Sequence, residues 1–79
     1  MSSTVFHYKE YRFFFFSREE FRPHIHVISA NGEAKYWIEP EVELANNSGF
    51  NLVQLNDLKN IIEKQKTEIR NAWKKHFGN

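Results

Sequence analysis

The chain has 79 residues, of which 41% are hydrophobic and 16% aromatic, with a formal charge of +1 and no cysteine. That length admits one hydrophobic core and not two, and the missing cysteine excludes disulfides and thiolate metal sites. The longest apolar run, Phe13 to Phe16, falls far short of the ~20 residues of a membrane-spanning helix, so the expectation is one domain over residues 1–79, working in the cytoplasm with no membrane partner.

Met1 to Ser3 reads as a frayed end, Thr4 to His7 as a short first strand and Tyr8 to Glu10 as a turn. Tyr11 to Ser17 carries four consecutive Phe, two on each face of a strand, which suits an interior strand whose second face is also covered by the helix, a partner or a neighbouring chain. Arg18 to Arg22 is polar and ends at Pro23, which keeps Arg22 extended and marks a loop. His24 to Ser29 is the next strand. Its alternation sends His24 and His26 to one face and Ile25 and Val27 to the other.

Ala30-Asn31-Gly32 predicts a hairpin turn, with Asn31-Gly32 taking the positive φ angles of a type I′ turn. Glu33 to Ile38 returns antiparallel, with Ala34, Tyr36 and Ile38 facing the core and Glu33, Lys35 and Trp37 facing away. Pro40 interrupts the pattern, and Glu41 to Ala45 is an edge strand with Val42 and Leu44 inward and charges that discourage edge pairing. Asn46 to Gly49 is a loop.

Asn51 is a good N-cap with Gln54 three residues on, and Phe50 stands where it can staple the start of a helix. Leu55, Leu58, Ile62, Ile69 and Trp73 recur at helical spacing, with Leu52, Ile61 and Phe77 beside them, which predicts one amphipathic helix over about 52–76, ended by Gly78. A helix of that length is about 37 Å long against about 20 Å for a strand, so it bends near Asn56-Asp57 or Asn60, or overhangs its sheet. The fold class is therefore α+β: an antiparallel sheet of four to five strands over about 4–45, with one long C-terminal helix packed on one face. Both a doubly apolar strand and an overhanging helix leave surface for a homodimer or another partner.

Charge is unevenly spread. Residues 1–50 hold five Lys and Arg against seven Asp and Glu, whereas 51–79 hold six against three. The basic tail of Lys64, Lys66, Arg70, Lys74 and Lys75 reads as a solvated helix face favoured by the helix dipole, or as a patch for nucleic acid or an acidic partner.

Tyr11-Arg12-Phe13-Phe14-Phe15, Pro23-His24-Ile25-His26-Val27, Gly32 to Trp37, and Ala72-Trp73 through Phe77-Gly78 together resemble the small bacterial proteins grouped as domain of unknown function 4160. The similarity runs over about residues 4–78. Members of that family carry Pro-Pro-His before the strand, and Arg22 stands here where the first Pro would be. The resemblance implies a toxin-like component of a two-protein, toxin–antitoxin-type gene pair, with a small partner protein encoded nearby. It brings no catalytic residue with it.

The candidate chemistry gathers at the histidines. His24 and His26 can act as general acid and base on a phosphodiester, with Lys35 or Arg18 stabilising developing negative charge and no cofactor needed, as a ribonuclease would require. They can instead hold a metal with Glu33, although a stable site wants three or four ligands. A third alternative is structural, with both rings packed on aromatics such as Trp37 or Tyr11 and bonded to loop carbonyls. The Phe13 to Phe16 run offers a stacking platform for RNA or, more simply, core packing. An enzyme needs both imidazoles exposed in a pocket, whereas a module that docks a partner protein needs only a surface.

Overall fold

Runs rich in β-branched and aromatic residues pair into one antiparallel sheet in the computed structural model, which describes residues 2–17 and 21–78. The strands are β1 (Ser2–Tyr8), β2 (Tyr11–Phe16), β3 (His24–Ser29), β4 (Gly32–Trp37) and β5 (Glu43–Ser48), and each pairs with the one before it in chain order. The first strand thus begins at Ser2, ahead of the expected Thr4, because Ser2 and Ser3 pair with Phe16 and Phe15. The last strand likewise extends through Asn46 to Ser48, which were expected in a loop; they pair with Lys35, Ala34 and Glu33. Glu41 and Val42 lie ahead of it.

Register fixes the two faces of the sheet. Phe13 pairs with Val27 and Val27 with Ala34, while Ile25 pairs with Tyr36, and these side chains lie on the face where Ile38 also joins the core. The expected inward set of the returning strand is the observed one. On the other face a row runs Thr4, Phe14, His26, Lys35, Asn46 across all five strands, and beside it a second row runs His7, Arg12, Ile28, Glu33, Ser48.

The helical segment is two helices and not one: α1 (Leu52–Lys64) and α2 (Lys66–Phe77). The break is at Gln65, whose φ of −102° and ψ of 13° leave the helical region and whose N–H bonds back to both Ile61 and Ile62 carbonyls at 3.0 and 3.2 Å. It falls neither at Asn56-Asp57 nor at Asn60. A straight helix of about 37 Å would exceed the 33 Å longest extent of the molecule. The bend lets α1 cover Tyr36 while α2 brings Trp73 and Phe77 onto Phe15, with ring centroids 5.3 and 5.8 Å apart.

Leu58, Ile62, Ile69 and Trp73 are buried with Phe13, Phe15, Ile25, Tyr36 and Ile38 in one cluster, each contributing about 1.5–3 kcal/mol by leaving water. Leu52 is 73% exposed, because it precedes the turn of α1 that reaches the sheet. Leu44, expected inward, is 44% exposed at the outer edge, where β5 slips register past Ala45, whereas Val42 is buried as expected.

The start of α1 follows the sequence closely. Asn51 Oδ1 accepts from the Gln54 N–H at 2.8 Å and Gln54 Oε1 accepts from the Asn51 N–H at 2.9 Å, a complete capping box. Phe50 is buried with its ring edge-on to Tyr11 at 5.8 Å. Gly78 closes α2 in the left-handed region at φ 76°, donating to the Lys74 carbonyl at 2.7 Å.

The β3–β4 hairpin corrects another expectation. Its loop is Ala30-Asn31, Gly32 already pairs with Ser29, and neither Asn31 nor Gly32 has a positive φ. Gly32 is needed for space: a Cβ there would collide with the Ser48 carbonyl oxygen and lie 2.9 Å from the Gly49 Cα.

Tyr36 joins the layers. Its hydroxyl donates to the Leu55 carbonyl at 2.7 Å, and burial pushes its phenol up from 10.0 to about 12. The fold therefore favours the neutral phenol. Its contribution is complete below pH 10 and is lost as pH rises from 10 toward 12, at up to about 1.4 kcal/mol per pH unit. In urea titrations, Tyr36→Phe should cost about 1 kcal/mol at pH 8 for the lost hydrogen bond, and its midpoint should fall less steeply than wild type between pH 10 and 12. Parallel curves for the two proteins would remove Tyr36 as the cause.

Candidate functional site

The sheet face opposite the helices carries His26, with the buried His24 beside it. His26 sits in the middle row directly opposite Phe14 on β2 and Lys35 on β4, so its ring stacks on Phe14 at 5.4 Å and 27° and meets Phe16 edge-on at 4.6 Å. The ring of His24 stands edge-on to that of His26 with centroids 5.0 Å apart. The alternation that placed the two imidazoles side by side is what the sheet shows.

Their environments differ. Among the described residues the β2–β3 pairs end at Phe14 and His26, short of His24. His24 lies there with 0% exposure, its ring 5.5 Å from Trp37 and 5.1 Å from Trp73 of α2. Its Nδ1 lies 2.7 Å from the Arg22 carbonyl oxygen, and since a carbonyl only accepts, the proton is on Nδ1. Packing on Trp37 and a bond to a loop carbonyl match the structural alternative for His24. Tyr11 instead packs on Phe50.

Lys35 stands opposite His26, with its Nζ 4.4 Å from the centre of the Trp37 ring. Arg18, the other expected charge stabiliser, lies outside the described residues, as do Glu19 and Glu20. Glu33 is exposed and belongs to the neighbouring row, opposite Ile28. Among the described residues no three His, Asp or Glu side chains gather where they could hold a metal ion, so Glu33 is not brought together with His24 and His26.

Several contributors to this face escaped the linear reading. Arg12 places its guanidinium 4.7 Å over the Phe14 ring and donates from Nε to the Thr4 hydroxyl at 2.7 Å. Arg22 places its guanidinium 4.4 Å from the Trp37 ring centre, bonds the Glu39 carbonyl at 2.9 Å and pairs with Glu43 at 3.3 Å. Each such cation–ring contact at a partly exposed site is worth about 0.5–1 kcal/mol. Phe14 is buried beneath this layer while Phe16 is 45% exposed. The signal was present as the alternation Arg12, Phe14, Phe16, which places a cation and two rings on the face that holds the histidines.

A shallow concavity of about 330 Å³ opens on this face, lined by Phe16, His26, Glu33, Lys35, Asn46 and Ser48 among others. No helix among the described residues is long and apolar enough to cross a membrane.

A family described as domain of unknown function (DUF4160) matches residues 11–74, within the span of about 4–78 that carries the resemblance. No curated protein and no solved structure matches the chain.

The two histidines should respond differently to substitution. Replacing His24 by Gln removes a buried ring held between two indoles and should cost on the order of 2 kcal/mol, whereas His26→Gln at a partly exposed position should cost less than about 1 kcal/mol. Urea midpoints of the two variants measure this. Equal losses would contradict the assignment of His24 to the fold.

Proposed function

The chain belongs to the family of the domain of unknown function DUF4160, and we propose that its uncovered sheet face binds single-stranded RNA without turning it over. The observation that carries this is the pairing of rings with cations on one face: Arg12 over Phe14, Arg22 and Lys35 over Trp37, and Phe16 half-exposed beside His26. Bases stack on aromatic side chains while the phosphates between them need positive charge, and single strands are bound by that combination. Binding without turnover is supported by the burial of His24, because an imidazole with no exposed surface meets no substrate in this conformation. Following the family resemblance, the RNA-binding chain is the toxin-like half of a bacterial, cytoplasmic two-protein module.

A second assignment, docking of a small partner protein or of another copy of the chain, draws support from a different set of residues. Phe21 is 88% exposed, and Leu52 and Val53 are exposed at the start of α1. Those side chains lie off the ring-and-cation face, so the two assignments predict different sensitive positions.

Fluorescence anisotropy with a labelled single-stranded RNA 10-mer tests the proposal. Three cations on the face predict a slope of log K against log salt of about −2, falling by about 0.7 in Lys35→Ala. Phe16→Ala should weaken binding about tenfold with the far-UV circular dichroism unchanged. Absence of binding at low salt, or variants that bind as wild type does, would sink the proposal.

A further inference from the structure

We propose that the concavity over β3–β5 is a pocket for a single guanine base; this rests on the RNA-binding assignment above and specifies what the face selects. Its volume of about 330 Å³ falls within the range of about 300 to 1,000 Å³ of small-ligand sites. The two rows of the uncovered face meet in it. His26, Lys35 and Asn46 come from the middle row, Glu33 and Ser48 from its neighbour, and Phe16 forms an aromatic wall.

The polar groups are ordered by the strand. Glu33 and Lys35 are two residues apart on β4, so they leave the same face about 7 Å from one another. A carboxylate only accepts hydrogen bonds and takes two adjacent donors, while an ammonium only donates. Guanine is the base that presents two adjacent donors, N1–H and the N2 amino group, with an acceptor, O6, at the other end of the same edge. Glu33 can take the donors, and Lys35, on turning its ammonium from the Trp37 ring, can meet O6. Adenine offers the unprotonated N1 to the carboxylate, cytosine offers N3 and O2, and uracil sets one donor between two carbonyls. Each would put an acceptor lone pair against Glu33.

The rest of the rim suits a fixed pocket. Asn47 lines it too, but its amide is held by the Phe50 backbone, donating to the carbonyl at 3.1 Å and accepting from the N–H at 3.2 Å, so β5 turns Asn46 and Ser48 to the ligand. The bare Cα of Gly32 lets the Ser48-Gly49 backbone close on β4 and sets the width of that side. The Phe16 ring, edge-on to His26 at 4.6 Å, gives the base a surface to stack on.

The test uses four labelled nonamers of uridine whose central position is G, A, C or U, titrated with the full chain and with Glu33→Gln. The G oligomer should bind the wild type about tenfold more tightly than the U oligomer, the scale of one bidentate base contact. Glu33→Gln should bring the two within about twofold. Equal binding of all four by the wild type removes the guanine pocket and leaves general RNA binding in place. A guanine preference that survives Glu33→Gln, with the variant's circular dichroism unchanged, also overturns the inference. Binding of none of the four overturns both it and the assignment on which it rests.

Discussion

Two helices cover one face of five strands, and no element among the described residues lies over the other. A chain this short has one apolar layer to give, so the side chains of the second face must reconcile rings with water by themselves. They do it with cations. Arg12 roofs Phe14, and Arg22 and Lys35 both contact Trp37, so aromatic area is shielded by the stems and planes of charged groups and not by another hydrophobic layer. A face built in this way presents positive charge beside the half-exposed ring of Phe16.

The break at Gln65 and the burial of His24 follow from the same sidedness. The helical segment has to follow a sheet shorter than itself, and by bending it sends Trp73 toward the place where β2 and β3 part. His24 fills that place, contacting Trp37 and Trp73, with its Nδ1 proton on the Arg22 carbonyl. One of the two rings that the linear chain offered for chemistry thus joins the helical layer to the sheet. Its neighbour His26 stays on the uncovered side, where Phe14, Phe16 and Lys35 surround it.

Local periodicity carried much of this. The period of two separated His24 and His26 from Ile25 and Val27, and Ala34, Tyr36 and Ile38 from Glu33, Lys35 and Trp37, because facing is decided residue by residue along a strand. Asn51 and Gln54 announced the helix start for the same local reason. What escaped depends on distant parts of the chain. The role of Gly32 needs β5 pressed against it, and the exposure of Leu52 and Leu44 depends on how far the covering layer reaches, which a stripe of apolar residues does not encode. The helix break did leave a trace. The apolar stripe has no member between Ile62 and Ile69, and Gln65 and Lys66 occupy the turn where one was due. The burial of His24 was present only as one of three alternatives, since it depends on an indole brought in from α2.

The central claim is that the side of the sheet opposite the helices is where this protein meets its ligand. Two-dimensional ¹H–¹⁵N NMR of the full chain, titrated with a single-stranded RNA nonamer of uridine carrying one central guanosine, tests it directly. The account predicts that the largest shifts fall on Phe14, Phe16, His26, Glu33, Lys35, Asn46 and Ser48, with the exposed residues of α1 and α2 nearly unmoved. Shifts concentrated instead on the basic residues Lys64, Arg70, Lys74 and Lys75 would contradict it and place binding on the helices.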